Sequence, residues 1–244
     1  MKFLRILHAI YAITIFILSF ILFFPLLLIP VFFSKHHHLV GIFNRWWSKI
    51  FFALCMFPRK IEVHSALDKK AQYIFCPNHF SYLDIPTMGL NPVNSIFVGK
   101  NDMEKIPLFG YMYRKLHITV DRGSLKSRYT TLLRSAEAID NGKSLVIFPE
   151  GGIVSQKMPQ MAKFKDGAFR IAIDKQIPVI PVTIPHNWII LPDSTILPKW
   201  GTTKVIFHEP ISTLGMDSTE IEALKKKTYD VIDAELKRHH DENR

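Results

Sequence analysis

The chain has 244 residues, a formal net charge of +10, 48% hydrophobic residues and two cysteines. That length suits one domain plus an appendage. A chain this basic and this apolar fits an anionic membrane surface or anionic substrates better than nucleic acid. Cys55 and Cys76 have no metal-ligand spacing and imply no disulfide framework, which is compatible with a reducing compartment.

From Ala9 to Phe33 no charged residue occurs. About twenty apolar residues suffice to cross a bilayer, so the segment is long enough to span. Pro25 and Pro30 are expected to kink or end a helix in its last third. A cleaved signal peptide is the competing reading; the length of the run and the Lys35-His36-His37-His38 that follows argue against it. Leu39 to Phe57 reads as a second helix. Asn44, Arg45, Ser48 and Lys49 form a polar stripe, with Trp46, Trp47, Phe51 and Phe52 on the other faces. That pattern predicts a helix at the membrane interface, cations near lipid phosphates. More basic residues follow the first segment than precede it, which predicts that the globular part lies on the cytoplasmic side of a membrane. Residues 1–58 are therefore expected to be membrane-associated helices, and 59–244 a globular domain. Whether the first segment crosses or returns as a hairpin is open at this level.

Beyond Arg59, β-rich runs alternate with helical ones. Strands are predicted at Lys60–His64, Tyr73–Cys76, Ser95–Val98, His117–Val120, Ser144–Phe148, Val179–Thr183 and Lys204–His208. Helices are predicted at Tyr82–Leu90, Pro107–Lys115, Ser124–Asn141, Gly167–Lys175 and Ser218–Arg238. This alternation predicts an α/β fold with a largely parallel sheet flanked by helices. Asn78-His79, Lys100, Asp121-Arg122 and Pro149-Glu150-Gly151-Gly152 each follow a strand, and a parallel sheet gathers such positions at one edge.

The stretch Pro77-Asn78-His79-Phe80-Ser81-Tyr82-Leu83-Asp84 is the centre of this reading. Ser81 and Asp84 resemble a capping box, so a helix is predicted to start near Ser81 with His79 in the loop before it. Inside one helix the two would point about 140° apart; outside it, Asp84 can reach one imidazole nitrogen and leave the other as a base. On these residues alone, a packed histidine and a capping aspartate remain the alternative. Glu150 is a candidate to hold a substrate hydroxyl or to brace its loop, and Gly151 and Gly152 let backbone amides approach a ligand. Lys163 and Lys165 precede a helix start that favours anions, and Arg122 is a strand-end cation suited to phosphate.

Taken together, His79-Phe80-Ser81-Tyr82-Leu83-Asp84, Val120-Asp121-Arg122, Phe148-Pro149-Glu150-Gly151 and Val179-Ile180-Pro181-Val182 resemble, in order and spacing, the blocks of the glycerolipid acyltransferases, above all the bacterial 1-acylglycerol-3-phosphate acyltransferases. The resemblance implies His79 as general base, Asp84 orienting it, and the second and third blocks binding the acceptor's glycerol phosphate, with Lys100, Arg122, Lys163 and Lys165 neutralising the phosphate. It implies lysophosphatidic acid as acceptor, acyl-carrier-protein or coenzyme A thioester as co-substrate, no other cofactor, no metal, and membrane lipids as partners. Two positions depart from the pattern: Ile153 stands where the family has Arg, and Leu116 where it has Gly. Lys157, Lys163 and Lys165 are candidates for the missing charge. The same chemistry on another lyso-lipid, such as a lyso-aminolipid, is the alternative. A non-catalytic lipid-binding protein is a further one.

Overall fold

A computed structural model describes residues 2–121 and 123–241, so Arg122 lies outside the described residues. Seven strands form one sheet: β1 (Arg59–Val63), β2 (Ile74–Pro77), β3 (Ser95–Lys100), β4 (Ile118–Val120), β5 (Ser144–Ile147), β6 (Val179–Thr183) and β7 (Thr203–Phe207). Their order is β1-β7-β6-β2-β5-β3-β4. Every neighbouring pair is parallel except β6 with β7. The sheet is thus mixed but mostly parallel, as the alternation predicts. Strands β2, β6 and β7 are buried along their whole length. A strand covered on both faces has no solvent side, which is why these read as continuous apolar runs. The edges look different. β1 carries Arg59, Lys60 and Glu62 and is mostly exposed, while β4 has only three residues; charge and shortness both discourage pairing with another chain.

The helices are α1 (Lys2–Phe32), α2 (Leu39–Leu54), α3 (Asp84–Met88), α4 (Phe109–Leu116), α5 (Leu125–Asp140), α6 (Gly167–Asp174), α7 (Asn187–Ile190) and α8 (Ile221–Asp241). Helices α5, α6 and α8 pack in sequence against β4, β5, β2 and β6, while α2 and α3 lie against β3 and β7. The helix at the central motif begins at Asp84, later than predicted. The preceding turn uses its polar groups elsewhere: the Ser81 Oγ accepts from the Leu83 N–H at 3.1 Å and donates to the Leu191 carbonyl at 2.7 Å.

Helix α1 does not end at Pro25 or Pro30 but continues to Phe32. It is long and apolar enough to cross a membrane, and this is consistent with membrane docking, yet it is fastened to the domain at both ends. Arg5 donates to the Leu197 and Pro198 carbonyls at 2.6 and 3.1 Å, and His8 stacks on Trp200 at 4.3 Å. Farther along, Trp47 donates its indole N–H to Ser19 at 3.0 Å, Phe20 packs on Phe109, and Phe23 and Leu27 enter the main core. Each such burial contributes about 1.5–3 kcal/mol. The opposite side of α1, with Leu4, Leu7, Ile10, Leu18 and Leu22, is exposed.

Helix α2 corrects one expectation. Arg45 does not face lipid phosphate. It donates to the Asn91 and Pro92 carbonyls at 2.7 and 3.0 Å and to the Asn94 side chain at 3.1 Å, while Ser48 is buried against Gly89. Arg45 and Ser48 point into the domain because a turn with spare acceptors lies there, while Lys49 of the same stripe stays exposed.

Candidate active site

Asn78 ends the ladder of β2. Its side-chain amide bonds both the N–H and the C=O of Ile184, at 2.7 and 3.1 Å, and stands in for one more residue of strand. The chain then leaves the sheet at His79. The His79 ring stacks on Phe148 with centroids 4.0 Å apart and planes 26° from parallel. Its Nδ1 lies 3.1 Å from Asp84 Oδ2. A carboxylate only accepts, so Nδ1 carries the proton and the neutral imidazole presents a bare Nε2. That Nε2 bonds no other side chain or backbone group among the described residues.

Asp84, fully buried, holds the ring from a frame of its own. Oδ2 also accepts the Phe80 and Ser81 amides at 2.8 and 2.9 Å. Oδ1 accepts from Asn187 at 3.0 Å. Asn187 in turn donates to Thr87 at 2.8 Å and accepts from Thr203. The expected pair is therefore brought together, with a third residue, Asn187, that the sequence reading missed.

Glu150 is only 1% exposed. Oε1 accepts the His79 N–H at 2.7 Å; Oε2 accepts the Ser155 hydroxyl at 2.7 Å and the Ala162 N–H at 2.8 Å. Burial pushes its carboxyl above the usual range, and the Ala162 and His79 amides pull it partly back. With both oxygens engaged by the protein, the geometry supports the bracing role of the two considered. Gly151, at φ +80°, takes the turn that follows, and a Cβ there would lie 2.9 Å from the Lys165 Nζ. The lysine end can swing aside, so it is the left-handed φ that favours glycine here. The Lys165 N–H bonds the Pro149 carbonyl at 2.8 Å, so the two blocks are joined directly. Gly152 and a half-buried Ile153 follow.

The remaining cations lie outside this network. Lys100 ends β3, exposed and paired with Asp102, and Lys163 is exposed. Beside the motif, Ala12, Ile13 and Phe16 of α1, Phe51 of α2, and Tyr82, Leu83 and Pro86 line an apolar groove of about 210 Å³.

A mostly parallel α/β sheet presenting a carboxylate-oriented histidine beside an apolar groove is the arrangement of an acyltransferase. The chain belongs to the acyltransferase family, whose profile matches residues 60–185. It is 29% identical to the 1-acyl-sn-glycerol-3-phosphate acyltransferase of Haemophilus influenzae over 206 residues, 81% of each chain. It is also 27% identical to a lyso-ornithine lipid O-acyltransferase of Pseudomonas aeruginosa over 198 residues, 73% of each. Its fold matches the crystal structure of the 1-acyl-sn-glycerophosphate acyltransferase from Thermotoga maritima, with a TM-score of 0.82 at 23% identity and 98% of each chain covered.

Proposed function

We propose that this enzyme transfers a fatty acyl group from an acyl thioester to the sn-2 hydroxyl of 1-acylglycerol-3-phosphate, forming phosphatidic acid. The observation that carries the reading is the bare Nε2 of His79, fixed by Asp84 through Nδ1, on a segment that lines an apolar groove. Nε2 takes the hydroxyl proton as the oxygen attacks the thioester carbonyl. The tetrahedral intermediate collapses, the C–S bond breaks, and the imidazolium returns the proton to the departing thiolate. Phe80 and Ser81 amides are spent on Asp84. The Tyr82 and Gly152 amides donate to no described residue and are the candidates to steady the oxyanion. The thioester is carried by acyl carrier protein or coenzyme A and is the only co-substrate the scheme needs. The acyl chains occupy the groove, and the helix pair docks the enzyme on the cytoplasmic face of the inner membrane.

Lysophosphatidate acylation by the purified protein, with each thioester donor, tests the reading. A general base contributes about 10²–10⁴-fold, so His79→Ala loses that much turnover while remaining folded. Turnover equal to wild type removes the mechanism. Ile153, where the family has Arg, together with the lyso-ornithine lipid relative, favours a second reading: the same transfer to a lyso-aminolipid. A panel of lyso-acceptors with and without phosphate separates the two.

A further inference from the structure

Helix α5 carries apolar residues on two faces. Inward it presents Thr131, Ser135, Ala138 and Ile139, with Leu132 against the main core, and the buried Ser135 hydroxyl has no partner among the described residues. Outward it presents Leu125, Tyr129 and Leu133, which are 76%, 64% and 53% exposed. Residues four apart share one side of a helix, so these three form a continuous apolar stripe. Lys126, Arg128 and Arg134 are exposed around it, and none is ion-paired among the described residues.

The stripe has neighbours of the same kind. Lys100 and Val120 are in register at the ends of β3 and β4, so the segments leaving them start side by side at the edge that carries the site. One segment holds the exposed Ile106 and Leu108; the other opens α5. The residue after Leu108, Phe109, packs on Phe20 of α1, 5.4 Å between centroids. That contact belongs to the packed side of α1, so it ties the Ile106–Leu108 segment to the helix pair without joining the two exposed surfaces.

We propose that the outer face of α5, with Ile106 and Leu108, is a second lipid-contacting surface that seats the rim of the site on an anionic bilayer. The cations meet lipid phosphates and the stripe enters the headgroup boundary. Three large apolar side chains in one stripe, flanked by exposed cations, fit the headgroup boundary of an anionic bilayer better than the polar surface of an acidic protein. The inference rests on the reading that the substrates are membrane lipids, but its test does not require turnover.

Tyr129→Cys offers a single labelling position, because Cys55 and Cys76 are both fully buried. Labelled there with an environment-sensitive nitrobenzoxadiazole dye, the full-length protein is mixed with phosphatidylglycerol–phosphatidylethanolamine vesicles. The expected result is a blue-shifted, brighter emission, reversed when phosphatidylcholine alone replaces the anionic mixture. Leu125→Glu with Leu133→Glu, on a helix whose core face is untouched, lowers partition into the anionic vesicles about tenfold. Emission unchanged at saturating vesicles overturns the proposal. So does a double variant that binds vesicles as wild type but loses turnover only with a donor on an acidic carrier protein. Absence of acyl transfer by wild type with these lipid readouts intact would instead count against the proposed function alone.

Discussion

Four hydrogen-bond donors converge on the carboxylate of Asp84: the His79 ring, two backbone amides and Asn187. Three come from within five residues of Asp84 in the chain: the His-x-x-x-x-Asp spacing made the histidine legible and the capping-box pattern the Ser81 amide, while the Phe80 amide was not foreseen. The fourth stands 103 positions away, where no local pattern points, so Asn187 escaped notice. Its contact is with the oxygen that does not face histidine, which makes it a positioning residue. Asn187→Ala frees one oxygen and lets the carboxylate turn. Outer partners of this kind are worth about 10–100-fold at metal sites; here we expect kcat to fall about tenfold with KM unchanged, and Asn187→Asp to be worse because it places a second negative charge against Asp84. A change confined to KM would move Asn187 out of this role. Glu150 shows the same limit: its strand-end position was readable, but not that Ser155 and Ala162 fold back onto it.

At the scale of elements, the central strands were readable because strands covered on both faces are apolar throughout, while β1 and β4 at the edges were read from short β-rich runs; each of the seven lies within two residues of its expected bounds. The helices that misled did so through partners distant in sequence. The polar stripe of α2 resembles an interfacial face until Asn91, Pro92 and Asn94 are placed beside Arg45. Helix α1 is, as expected, long and apolar enough to cross a membrane; what its local pattern does not carry is its attachment to the domain at Arg5, His8, Phe20 and Leu27. The groove between α1, α2 and the motif is a product of that packing. Ala12→Phe projects a ring into it. Each methylene of an acyl chain is worth about 0.8 kcal/mol when buried, so losing room for two of them costs roughly tenfold. Turnover of long-chain thioesters relative to short ones should fall by that amount, measured with a chain-length series. An unchanged preference would place the chain elsewhere.

For the molecule as a whole, buried histidines set the response to acid. Burial lowers His208 from 6.5 to about 4, with His64 adding to the effect and Glu235 opposing it. Burial, with His37 close by, lowers His117 to about 3. The unfolded chain therefore takes up protons below pH 6.5 that the folded one refuses until about pH 4 or 3. Stability is complete above pH 6.5 and is lost as pH falls through that interval, by about 3 kcal/mol for His208. The melting midpoint should drop steadily from pH 7 to 4.5, and His208→Gln, which can keep the bond to Thr183, should flatten part of the slope. A midpoint independent of pH in this range would contradict the assignment.

The loop at the site does not depend on the imidazole it carries. The His79 amide is tied to Glu150, the two amides after it to Asp84, and Asn78 anchors the approach. Removing the side chain should leave a vacant slot between Phe148 and Asp84, with the surrounding scaffold standing. In His79→Gly, free imidazole supplied in the buffer should enter that slot and restore part of the lost turnover in a saturable way, whereas a folded variant deaf to imidazole would mean that the slot had closed.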